Sequence, residues 1–199
     1  MLRRMVLPVA LMAAVTVSSS GLAVAAPLAT ETVKEVALTL HAKVSPIEAV
    51  EKAEQYSKAH AIEVFARKEK VETVYEVKAV NADALLKLIV DPTSGAVLKS
   101  KQITSLKDLA REHQNELHEL AAAKTTLADA MSVAETSSGG KAIEASYKMH
   151  EGKLTYAVVV EKAGRSETVF VDAELGHAVS PMKSSSVSGE MGAKEGAAK

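Results

Sequence analysis

Two aspartates, each followed four residues later by a glycine, are the first candidates for chemistry: Asp91-Pro92-Thr93-Ser94-Gly95 and Asp172-Ala173-Glu174-Leu175-Gly176. Carboxylates in matching places invite a catalytic pair or a metal site. An Asp at the head of a turn, however, bonds to backbone amides ahead of it, and Gly adopts the positive φ that reverses the chain. The turn accounts for the glycine as well as the acid, so Asp91, Asp172, Gly95 and Gly176 are read as turn positions. His113 and His118 are five apart, about 140° around a helix, whereas an HExxH zinc helix needs a spacing of four. His118-Glu119 is read as solvated helix surface. His41, His60, His150 and His177 are scattered near expected turns, and a weak transition-metal site built from them in space stays open. Glu48, Glu51 and Glu54 read as an ordinary charged helix face. No Gly-x-Ser-x-Gly elbow, phosphate loop or dinucleotide fingerprint occurs. The expectation is a chain with no catalytic, cofactor-binding or metal-binding residue, and no cofactor.

Composition sets the compartment. Residues 1–25 have the parts of a signal peptide: Arg3-Arg4, an apolar stretch from Val6 to Val17, and Ala23-Val24-Ala25 as a cleavage site. The apolar run is shorter than the roughly 20 residues that span a bilayer and contains Pro8. We therefore expect export to the periplasm or the medium, with no membrane span after cleavage. Cysteine is absent, which removes disulfides, thiolate zinc sites, thiol catalysis and a lipidated N-terminal cysteine. Removing residues 1–25 takes away Arg3 and Arg4 and leaves 22 basic against 25 acidic side chains, a net charge of −3. With no basic stripe and no tryptophan, nucleic-acid binding is not expected.

These features sit on a chain that repeats itself. A gapless shift of 81 positions aligns Ala53-Glu54 with Ala134-Glu135, Ala61-Ile62-Glu63 with Ala142-Ile143-Glu144, Tyr75 with Tyr156, Val77 with Val158, and Val90-Asp91 with Val171-Asp172. Ser45-Pro46-Ile47-Glu48 is a capping-box helix start, and Thr126 with Asp129 is its counterpart. After each helix the apolar spacing changes from helical to alternating. Strands are expected at 62–70, 73–80 and 84–90, and again at 141–150, 153–162 and 166–171. Tyr75 and Tyr156 are expected in the core with their hydroxyls at its rim. Ser105 to Ala123, opened by Ser105 with Asp108, reads as a connecting helix with an apolar stripe, and Glu31 to Leu40 as its weaker counterpart. The tail 183–199 has the composition of a disordered segment.

One helix, three antiparallel strands with Tyr-x-Val in the second, and a Val-Asp-x-x-x-Gly close resemble the PepSY domain over about 45–99 and 126–181. The organisation that follows is a signal peptide (1–25), an N-terminal linker or helix (26–44), a PepSY-like module (45–100), a connecting helix (101–124), a second module (125–182) and a tail (183–199). The fold class is α+β, each module being one helix packed on a three-stranded antiparallel sheet. The resemblance implies an exported, non-catalytic protein that binds a protein or peptide, including modulation or inhibition of a secreted peptidase. One expected mode is strand addition at an exposed sheet edge, for which strand 84–90 is the candidate unless it is buried. A different class of function, envelope metal or small-ligand binding through the histidines, remains beside it.

Overall fold

The structure, a computed structural model, describes residue 37 and residues 39–179 other than 71 and 151. The proposed signal peptide and tail lie outside the described residues, as does most of the segment 31–40. Its end, residues 39–41, is helical.

Helix α1 (Pro46–Ser57) begins as the sequence predicts. Ser45 accepts from the Glu48 amide, the Glu48 carboxylate accepts from the Ser45 amide, and Pro46 fills the first turn where its missing N–H costs nothing. Four strands follow: β1 (His60–Glu69), β2 (Glu72–Val80), β3 (Ala84–Val90) and β4 (Val97–Ser105). After a short 3-10 turn (Leu106–Asp108) come α2 (Arg111–Ala122) and α3 (Leu127–Ser138), the latter opened by the Thr126–Asp129 capping box. The described residues end in β5 (Lys141–His150), β6 (Lys153–Lys162), β7 (Arg165–Asp172) and β8 (Ala178–Val179).

All eight strands form one antiparallel sheet in the order β4-β3-β2-β1-β5-β6-β7-β8. The fold is therefore α+β, but the sheet is continuous: β1 and β5 pair through Glu63 with Ser146 and Val64 with Ala145. This corrects the expected pair of separate three-stranded sheets. Each half has a fourth strand beyond its Asp-to-Gly turn, short in the second half and nine residues long in the first.

Alternation places one residue in two on each face. Val64, Val77 and Leu88 stand side by side across β1, β2 and β3, and all are fully buried. Ala145 and Val158 hold the corresponding places in β5 and β6. This face receives α1 and α3, which pack against each other and reach across the seam, α1 to β5 and α3 to β1. One hydrophobic cluster runs through both halves and takes in Leu117 and Leu120 of α2. Units of about 55 residues are near the lower limit for a self-sufficient core, and sharing one removes that difficulty.

The connecting helix starts later than expected. Ser105 makes no side-chain cap; it closes β4 opposite Ala84 and its hydroxyl donates to the Asp83 carbonyl. Leu106 is buried, and the chain is extended at Leu109 and Ala110 before α2 begins at Arg111. The apolar residues of this stretch therefore belong to a 3-10 turn, an extended link and a helix. Strand 84–90 is an interior strand flanked by β2 and β4, so it is not the edge.

Tyr75 and Tyr156 are 0% and 2% exposed. Each hydroxyl donates to the carbonyl just before its half's helix, Val44 at 2.9 Å and Thr125 at 3.0 Å. Burial pushes the Tyr75 phenol up to about 12 and raises Tyr156 as well, so both remain protonated donors. Each tyrosine thereby ties the start of a helix to the middle of the sheet. We predict that Tyr156→Phe costs about 1–3 kcal/mol in urea unfolding, because a buried carbonyl is left without its donor. Tyr75→Phe, whose bond is only part-buried, should cost less.

Candidate functional site

The two aspartates are occupied by the turns that hold them. Asp91 accepts from the Thr93 amide and the Ser94 hydroxyl, and Asp172 from the amides of Glu174 and Leu175. Gly95 and Gly176 sit at φ 73° and 65° and donate back to the carbonyls of Asp91 and Asp172. The hydrogen bonds, from the Ser94 hydroxyl to Asp91 and from the Leu175 amide to Asp172 above all, hold both carboxyls below their ordinary range.

The histidines are dispersed. His113 contacts Glu116 at 3.3 Å on the exposed side of α2, and His150 stacks on Phe170 with ring centroids 4.2 Å apart. Thr155 and Ala157 lie on the same sheet face between their strands, and their small size lets the two rings meet. Among the described residues no group of three or more His, Asp or Glu side chains is placed to hold a metal ion.

Glu54 is not ordinary surface. Its carboxylate, half-buried, accepts the Ala61 amide at 2.8 Å, and Glu135 accepts the Ala142 amide at 3.0 Å. Burial raises the Glu54 carboxyl against the opposing pull of that amide. Each glutamate accepts from the amide of the second residue of the strand after its helix, next to the register shift at Ile62 or Ile143. The identical spacing of Glu54 to Ala61 and Glu135 to Ala142 carried this signal.

The sheet face away from the helices is charged in the first half. Glu76, 4% exposed, is clamped by Arg67 at 2.8 Å and Lys87 at 3.2 Å, while Lys78 pairs with Glu63 and Lys99 with Glu69. A buried carboxylate held by two cations from neighbouring strands fixes their register and leaves little charge to offer a ligand. In the second half the same face carries Ser146, Ala157, Val159 and the His150–Phe170 pair.

A cleft opens where the halves differ by one residue. Ala173 donates to the Leu154 carbonyl and accepts from Thr125, closing the end of the β6–β7 ladder. Its counterpart is Pro92, which accepts from Val44 but has no N–H to donate toward Thr73. The β2–β3 pairing accordingly stops at Tyr75 with Val90, whereas β6–β7 continues to Thr155 with Asp172. Beside this gap lies a cleft of about 800 Å³, lined by His41, Lys43, Thr73, Pro92 and Leu98 among others.

Leu98 joins the cleft to the long free edge. The β3–β4 register shifts twice, leaving Leu98 and Ile103 as the extra residues of two bulges. Both are large exposed hydrophobics, at 54% and 44%. Between them Lys99 and Lys101 line the strand, a common guard against indiscriminate edge pairing. The bond from the Asp91 amide to Ala96 sets the phase of the ladder, so past the bulge the amides of Ser100 and Gln102 point away from β3. The candidate site is this edge with the cleft at its head; the residues singled out in the sequence frame it rather than form it.

No family model and no curated protein matches the chain. Among solved structures, the crystal structure of a candidate lipoprotein from Clostridium difficile 630 is similar at 20% identity, covering 70% of this chain and 92% of that one with a TM-score of 0.41. No helix of the described residues is long and apolar enough to cross a membrane.

The turn role of the aspartates has a pH signature. A carboxyl held below the ordinary 3.8 contributes its full stability above that pH and loses it as pH falls through the lower folded value. We predict that Asp172→Ala costs about 1–3 kcal/mol at pH 7, since two amides lose their acceptor. The gap between variant and parent should close on acidification below pH 3.8, read from urea midpoints at a series of pH values.

Proposed function

We propose that the chain is a non-catalytic binding protein of the exported class, built from two PepSY-like modules, whose task is to hold a protein or extended peptide. The observation that carries this reading is β4, a nine-residue strand that among the described residues has a neighbour on one side only, carries two exposed apolar bulge residues and is headed by a cleft. An extended segment laid along such an edge gains main-chain hydrogen bonds, and pockets at its end give selectivity. Leu98 and Ile103 offer apolar contacts at the two ends, and Lys99 and Lys101 favour acidic side chains between them. The occupied turn aspartates fit a protein that binds without reacting. Modulation of a secreted peptidase is the form of this function the family resemblance points to, the peptidase offering an extended segment to the edge.

Ser100→Pro tests the edge, because it removes an amide that faces away from β3 and that a proline can replace on an edge strand. We expect the variant to keep the parent's melting temperature and to lose capture of the partner or the effect on co-secreted peptidases. Undiminished capture by the variant, or peptidase activity untouched by excess parent protein, would count against the edge and the peptidase assignment respectively.

A further inference from the structure

The two free edges of the sheet are unequal. In the first half β4 covers β3 along its whole length, from Ala84 with Ser105 to Val90 with Val97. In the second half β8 covers β7 only at Phe170 and Val171. Among the described residues no strand pairs with Arg165–Val169 on the side of β7 away from β6. The bond from the Asp172 amide to His177 and that from the Ala173 amide to Leu154 set the phase of β7, so the amides of Ser166 and Thr168 point outward.

The surroundings of this edge are also open. Val133 and Ser137 of α3 stand where α1 carries Lys52 and Tyr56. Lys52 lies against Gly95, 3.5 Å from where a Cβ would stand, whereas nothing from α3 comes within 4 Å of the equivalent point at Gly176. A groove of about 360 Å³ remains between α3 and β8, lined by Val133, Thr136, Ser137 and His177 among others. A second concavity, lined by Lys162, Ala163, Arg165 and Glu167, lies along β7.

The chain's own continuation is poorly suited to fill the edge. Continuing the observed register past Val179 brings Pro181 opposite Thr168, at a position where a strand donates to β7. Proline has no hydrogen to give there. A second copy of β7 is no better, because pairing centred on Glu167 sets that carboxylate against itself.

We infer that Arg165–Val169 of β7 is a second strand-addition site, taken by an extended segment of another polypeptide running antiparallel to β7. Its side chains on the helix side meet Val169, Glu167 and Arg165 in turn. The matching sequence, from N- to C-terminus, is therefore apolar, any, basic, any, acidic. This rests on the reading of free edges as the binding elements of the protein, and it adds a site and a charge order to that reading.

The test uses the full chain and the blocked peptide Val-Thr-Lys-Thr-Glu-Thr, with Val-Thr-Glu-Thr-Lys-Thr as its charge-swapped control. Amide exchange should slow at Ser166 and Thr168 on adding the first peptide, and the control should bind about tenfold more weakly. Glu167→Lys combined with Arg165→Glu, both on exposed side chains, should invert the preference. Protection of Ser100 and Gln102 instead would overturn this inference while leaving β4 as the binding edge. Protection appearing only in a chain ending at Val179 would assign the edge to the tail and equally overturn it. If neither edge is protected by any peptide or partner, the broader binding reading falls with it.

Discussion

The seam between β1 and β5 is the constraint on which the rest of the architecture depends. Two residue pairs, Glu63 with Ser146 and Val64 with Ala145, join four strands to four. So short a ladder is weak by itself. It holds because Val64 and Ala145, both fully buried, lie beneath α1 and α3, and each helix also touches the strand across the seam. A disulfide-free chain with two small sheets gains one core in this way, and apolar burial contributes roughly 25 cal/mol per Å² of surface removed from water. The covered seam also decides which backbone remains free: with β1 and β5 turned inward, the edges among the described residues are β4 and the β7–β8 side.

Within each half the same three ties recur. A capping box starts the helix, a tyrosine hydroxyl binds the carbonyl just before it, and a glutamate in the last turns of the helix takes an amide at the start of the next strand. Each places a donor or acceptor that would otherwise be lost to burial. The halves then diverge where these ties leave freedom. Pro92 against Ala173 opens one strand end, Lys52 against Val133 fills one groove and empties the other, and an ion-pair clamp around Glu76 faces a stacked His150–Phe170 in the opposite half. Shared features carry stability and divergent ones carry surface, which is where recognition resides.

Much of this was legible in the residues because it depends on local chemistry. Ser45 with Glu48, Thr126 with Asp129, the Tyr-x-Val alternation and the Asp-to-Gly turns are short-range patterns whose physics lies within a few positions. The capping reading failed at Ser105 for an instructive reason: Ser followed by Asp three residues on also fits the last residue of a strand entering a turn, and only the partner Ala84 decides. The length of β4 was hidden because an edge strand with polar residues on both faces shows no clean alternation. The seam was invisible for a related reason, since pairing of β1 with β5 joins residues some 80 positions apart and leaves no local mark. Glu54 was underrated because its partner is a backbone amide, although its recurrence beside Ala61 and Ala142 was in plain view.

The whole architecture requires that the two halves share one core. The direct measurement is a urea titration followed residue by residue by NMR, comparing the amides of Tyr75 and Tyr156 at the centres of the two halves. One common midpoint and one common slope for both are predicted, as a single cooperative unit requires. Two separated midpoints, with one half melting while the other keeps its native signals, would contradict the account.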